Sequence, residues 1–189
     1  PQSGYEAFIP NSINHDWILA DGELEQALAL ANRKIGALDA FAGLVPSVNK
    51  FIDLHIAKEA TTSSKIEGTR TNIEEAFLPQ GEIQVSLQND WQEVTNYIKA
   101  MNFAISSLGE LPLSSRLIRQ AHQLLLDGVR GNFKQPGEFR RSQNWIGGAT
   151  LQQARFVPPP FNAVPDLISD IEKFIHNRNI QVSELVRIG

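Results

Sequence analysis

The residues with the clearest capacity for chemistry lie in the stretch TTSSKIEGTRTNIEEAF, residues 61–77. Ser63 and Glu67 are four apart, so on a helix they share one face, and Gly68 follows at once as a natural helix end. A carboxylate at a helix tip can accept two parallel hydrogen bonds from an arginine. An arginine engaged in that way cannot offer the same fork to a phosphate. The chemistry expected of Glu67 is therefore competition with an anionic ligand for one guanidinium. The bland alternative is a helix end followed by a corner. Ser64 and Glu67 match the capping-box spacing, but a cap there needs a helix break that no glycine or proline causes. Thr71 and Glu74 match it again before an apolar run, and these two are expected to cap a short helix over 72–78.

The elements that must position these residues read as helices. Residues 23–43 repeat Leu24, Ala27, Leu28, Ala31, Ile35 and Leu38 at helical spacing behind a capping Asp21. Pro46 opens a second helix over about 46–67, in which Phe51, Leu54 and Ile56 are expected to share a buried face. Further helices are predicted over 89–107, 114–127 and 162–177, and VSELVRI starts another. Between the helices over 114–127 and 162–177 lies a segment of more than thirty residues, 128–161, and an irregular loop of this length inside a compact domain is uncommon and usually functional. Within it, SQNWI and ARFVP flank a Gly-Gly turn, which predicts a small exposed β-hairpin. The fold class is all-α with one small β-hairpin flap.

Bulk properties narrow the function. The chain has 189 residues, 42% of them hydrophobic, enough for one domain with a core or a domain and an appendage. No apolar run approaches the ~20 residues of a membrane span. The N-terminal PQSGYEAFIP has neither the basic start nor the apolar run of a signal peptide. Zero cysteines exclude disulfides and thiolate metal sites, and a cytoplasmic protein is expected. His15, His55, His122 and His176 form no metal-ligand spacing. The net charge of −4 disfavours nucleic acid. The charge is uneven, however. Residues 128–160 carry Arg130, Lys134, Arg140, Arg141 and Arg155 against Glu138, a net +4 that leaves −8 for the rest.

The motifs in order resemble a known family. SSKIEG fits the inhibitory pattern [S/T]xxxE[G/N] of the Fic family of protein adenylyltransferases. PGEFRRSQNWIGG, ARFVPPP, VPDLISDIEKFIHN and SELVRIG are similar to segments that follow it there, so the likeness runs from about residue 51 to 189. The family's catalytic signature, HPFxxGNGR, is absent from these residues. The expectation is a chain cut just short of it, inactive alone, with no catalytic residue of its own.

The resemblance implies a division into an N-terminal region over 1–85, including the inhibitory helix at about 46–67, and the first part of the core over 86–189. It implies that Glu67 is inhibitory, that Ser63 supports it and that Gly68 ends the helix. It makes residues 139–158 a target-docking flap, with Asn144, Trp145, Ile146, Gly147, Gly148 and Arg155 as its contact residues. For the full-length enzyme it implies ATP and Mg²⁺, none firmly held by this part. The partner is a target protein offering a Ser, Thr or Tyr hydroxyl, the protein itself included, and a homo-oligomer is compatible. The competing reading is a non-enzymatic helical interaction or regulatory module.

Overall fold

The computed structural model describes residues 4–189. Among these residues six α-helices carry the architecture: α1 Gly22–Ala42, α2 Val48–Ile66, α3 Gln88–Ser107, α4 Ser115–Leu125, α5 Val164–His176 and α6 Glu184–Ile188. The all-α class is therefore correct. The contacts divide the chain into two compact units, Asp21–Gly137, and residues 4–20 together with 138–189.

In the first unit, α3 is the central element. It packs against α4 on one side and the C-terminal half of α2 on the other. Ala57, Ala60 and Val94 are fully buried and Leu117 is nearly so. Small residues on α2 let its backbone approach α3, while Val94 and Leu117 each contribute ~1.5–3 kcal/mol by leaving water. Burial on α2 is confined to Ile56, Ala57, Ala60 and Thr61. Phe51 and Leu54, expected on the same buried face as Ile56, are instead 47% and 53% exposed. Phe51 lies against its helical neighbour His55, with ring centroids 4.1 Å apart.

Helix ends follow local chemistry. Asp21 caps α1 by accepting from the Glu23 and Leu24 amides, as its position predicts. The α1 helix buries none of its residues, although its apolar side chains recur at helical spacing. Ser47 caps α2 and Ser114 caps α4. The expected capping box at Thr71 and Glu74 is one residue out of place. Asn72 Oδ1 accepts from the Glu75 amide at 2.9 Å, and Glu75 Oε2 accepts from the Asn72 amide at 2.9 Å. Thr71 is 1% exposed and turned inward, its hydroxyl without a hydrogen-bond partner. The segment it was to cap is a single 3-10 turn, Glu75–Phe77, rather than a helix over 72–78.

In the second unit, Val157, Phe174 and Ile180 form the core, and a buried arginine joins them. Arg187 donates Nη1 to the Phe174 and Asn177 carbonyls, Nη2 to the Ile180 carbonyl, and lies over the Phe174 ring at 5.2 Å. It thereby adds donors to carbonyls at and just beyond the C-terminus of α5. The expected hairpin is reduced to one antiparallel bridge, Ile146 with Phe156. The physical reason is the chain between them. Gly147 and Gly148 both adopt positive φ, and a 3-10 turn over Leu151–Gln153 folds the intervening residues back before a ladder can extend.

Candidate functional site

Glu67 is the last residue of the α2 path, with φ −82° and ψ 0°. Gly68 then turns left-handed at φ +96°. The Gly68 amide donates to the Lys65 carbonyl and the Thr69 amide to the Ser64 carbonyl, each at 3.1 Å. This pair of bonds is the Schellman closure, which stops a helix abruptly and fixes the direction of its final side chains. No atom lies within 4 Å of where a Gly68 Cβ would stand, so glycine is required there for its backbone freedom rather than for space.

Ser63, Ser64 and Glu67 come together on the lining of a cavity of about 290 Å³, with Glu93, Tyr97 and Arg130 among the other lining residues. Ser63 does share this cavity with Glu67, but its hydroxyl donates to Glu59 Oε1 at 2.6 Å, one turn back along α2. Its bond is therefore to a different glutamate from the one it was expected to support. The Glu67 carboxylate is exposed and makes no hydrogen bond or ion pair among the described residues.

Arg130 faces the same cavity and is taken by Glu93: Nε to Oε1 at 2.6 Å and Nη2 to Oε2 at 2.8 Å. The Glu93 hydrogen bond and charge hold the Arg130 guanidinium above its ordinary pKa, with smaller contributions from Asp90 and Glu67. Asp90 in turn is occupied by Arg70, which gives it Nε at 3.2 Å and its own amide at 3.0 Å. The sequence placed Arg130 only within a basic segment. Its pairing with Glu93, 37 positions away, carries no local signal.

The flap residues lie in the other unit. The Ile146 amide donates to the Phe156 carbonyl at 2.9 Å, and the Ile146 carbonyl accepts from the Arg155 and Phe156 amides. On the opposite side of the chain, the backbone groups of Trp145 and Gly147 have no partner among the described residues. Trp145 is 40% and Ile146 63% exposed. Beneath them, Gln143 Nε2 ties the Asn144 carbonyl to that of Pro158, at 3.0 Å each. The Phe8 amide donates to the Val157 carbonyl at 2.9 Å, and the Phe8 ring meets Phe156 at 5.9 Å. One strand edge is thus occupied from within and the other is open.

His122 has a structural task. Its Nδ1 accepts from the Gly137 amide at 2.9 Å, while Arg119 Nε donates to the Gly137 carbonyl, anchoring the start of the long segment to α4. A second cleft, about 450 Å³ between α3 and α4, is apolar apart from Tyr97 and His122 and offers no reactive group.

The charged lining of the Glu67 cavity consists of two carboxylates and one guanidinium already engaged. Among the described residues, no group of three His, Asp or Glu side chains could hold a metal ion. These residues do not themselves fit a triphosphate with magnesium. Among the described residues, no helix is long and apolar enough to cross a membrane.

Residues 25–106 match the family model described as Fic/DOC family N-terminal. The match spans most of α1, all of α2 and nearly all of α3, and includes Ser63, Glu67 and Gly68; it ends before the flap. No curated protein matches the chain.

Proposed function

From a Fic-family chain that carries this N-terminal region, we propose the regulatory and target-docking part of a protein adenylyltransferase, with Glu67 as its inhibitory carboxylate. In that reaction the oxygen of a target Ser, Thr or Tyr hydroxyl bonds to the α-phosphorus of ATP. The bond to pyrophosphate breaks, pyrophosphate leaves, and the hydroxyl proton passes to a base. Base, phosphate donors and Mg²⁺ site belong to the HPFxxGNGR signature, which these 189 residues do not contain. This chain's part is to deny the signature arginine to the γ-phosphate through Glu67, and to align the target along the flap.

The observation that carries this reading is the state of Glu67. It is a carboxylate at an abrupt helix end, on the lining of a cavity, with no bond of its own among the described residues. A carboxylate that merely ended a helix would gain nothing there, since the negative end of the helix dipole disfavours it. One facing an arriving guanidinium gains charge-assisted bonds. The open edge at Trp145 and Gly147 supports target docking, because an extended peptide can add to such an edge as a strand.

The test is auto-modification with radiolabelled ATP in a protein where this chain is continued through the signature. Glu67→Gly should raise the rate about tenfold or more, the scale of one or two charge-assisted hydrogen bonds. Glu67→Asp should raise it less, since its shorter arm keeps the charge. An unchanged rate in Glu67→Gly would mean that the carboxylate is only a helix end. The 189-residue chain alone should transfer no label.

A further inference from the structure

We propose that Glu93 is a positioning residue that keeps Arg130 off Glu67, leaving the Glu67 carboxylate free for an arginine arriving from elsewhere. The inference rests on the reading of Glu67 given above and names how that site is kept ready. Two arginines of this unit could neutralise Glu67. Arg70 stands three residues beyond it, and Arg130 lines the same cavity. Both are held by carboxylates at the start of α3. Asp90 takes Arg70, whose Nη2 also reaches the Ser86 carbonyl at 3.1 Å. Glu93 takes Arg130 with both of its oxygens.

The second pair decides the matter. Glu93 is the fixed partner, its side chain 17% exposed, while Arg130 is 66% exposed and free to swing once released. A two-pronged pairing satisfies both carboxylate oxygens and takes up the Nε–Nη2 fork, so Glu67 cannot have that fork while Glu93 holds it. Glu67 already acts on Arg130 through its charge, yet makes no bond to it. Asp90, the other carboxylate in that field, is occupied by Arg70. If Glu93 lost its charge, the next unoccupied acceptor in the cavity would be Glu67. Arg130 would then neutralise the inhibitory group from within, and the signature arginine would be left to phosphate.

The test uses the 189-residue chain and solvent exchange of the Arg130 Nε–H by NMR. In Glu93→Gln, protection should persist, because Glu67 takes the guanidinium over. In Glu93→Gln/Glu67→Gln, exchange should speed up about tenfold, the scale of one charge-assisted hydrogen bond. Glu93→Asp, which keeps the charge, should leave protection in place when Glu67→Gln is added. Exchange in Glu93→Gln as fast as in the double variant would overturn the inference.

A second readout separates this inference from the reading beneath it. In a protein continued through the signature, Glu93→Gln should raise auto-modification, and adding Arg130→Gln should return it to the low level. Activation by Glu67→Gly without activation by Glu93→Gln overturns the Glu93 role and leaves the inhibitory reading standing. Retained protection in Glu93→Gln with an inert Glu67→Gly supports the Glu93 role and overturns the inhibitory reading.

Discussion

Asn96, on α3, donates Nδ2 to the Asp127 carbonyl at 2.7 Å and so closes the C-terminus of α4 with a side chain from its neighbour. The same amide reaches the Leu125 carbonyl at 3.4 Å, and Gln92 Nε2 donates to Asn96 Oδ1 at 2.8 Å, which sets the amide's orientation. Asn96 is 1% exposed. Asn96→Ala would leave two part-buried carbonyls without this donor, at about 1 kcal/mol. Asn96→Asp would remove both donors and bury a charge, at a greater cost. Urea denaturation should place the three proteins in that order, and equal midpoints for wild type and Asn96→Ala would refute the capping role.

Asp170 predicts an acid response in the other unit. Its carboxylate accepts from the Ser12 hydroxyl at 2.5 Å and the Ile13 amide at 2.7 Å, tying residues 12 and 13 to α5. The Ser12 bond foremost, then the Ile13 amide, hold the carboxyl below its ordinary pKa. A depressed folded pKa means stabilisation that is present above the unfolded value of about 3.9 and is lost as pH falls towards the folded one. Amide exchange at Ile13, taken relative to the unprotected rate at each pH, should therefore accelerate below about pH 4, while exchange at Val94 stays slow. Asp170→Asn should accelerate it already at neutral pH and remove the acid dependence.

The cap before the 3-10 turn separates two adjacent glutamates. Asn72→Ala should lower stability by about 1 kcal/mol, the usual worth of such a cap. Glu75→Ala should also cost stability, since its carboxylate returns the bond to the Asn72 amide. Glu74→Ala should change little, because Glu74 makes no capping bond. Thermal melts of the three variants test this, and a Glu74→Ala loss equal to that of Asn72→Ala would restore the cap to the Thr71 register.

The reasons for these outcomes also explain what could be read in advance. Helix extents follow from local signals: Asp21 and Gly68 act on their own neighbours, so α1 begins and α2 ends close to expectation, whereas Pro46 stands just outside α2, whose cap is Ser47. The place of Glu67 at an abrupt helix end was legible because the glycine that follows it is a local signal too. The cap register was missed because Thr71 and Asn72 are both competent caps, and burial of the Thr71 side chain decided between them. Periodicity gives a helix its face but not the extent of its neighbours, so Phe51 and Leu54 look buried in sequence and are not. Arg130 with Glu93, Asn96 with Asp127 and Asp170 with Ser12 are all long-range pairs, and side-chain spacing holds no trace of them.

The flap offers the sharpest contrast between two glycines of positive φ. A Cβ on Gly148 would stand 2.2 Å from the Gln153 carbonyl oxygen and 2.6 Å from its carbon. These are backbone atoms and cannot rotate aside. A Cβ on Gly68 would meet nothing within 4 Å. Gly68→Ala should therefore cost only left-handed strain, about 1–2 kcal/mol, and keep the fold. Gly148→Ala adds a collision with the turn over Leu151–Gln153, and should break the Ile146–Phe156 bridge. Amide exchange reads this directly: in Gly148→Ala the Ile146 and Phe156 amides should lose protection while Val94 keeps its own. Protection retained at Ile146 would mean that the turn yields and the bridge does not depend on it. In a protein continued through the catalytic signature, the same variant should lower modification of a target more than ATP binding. Ile146→Lys should do likewise without unfolding the loop, since this side chain is 63% exposed. Equal loss of both activities in Ile146→Lys would assign the loop to packing instead of docking.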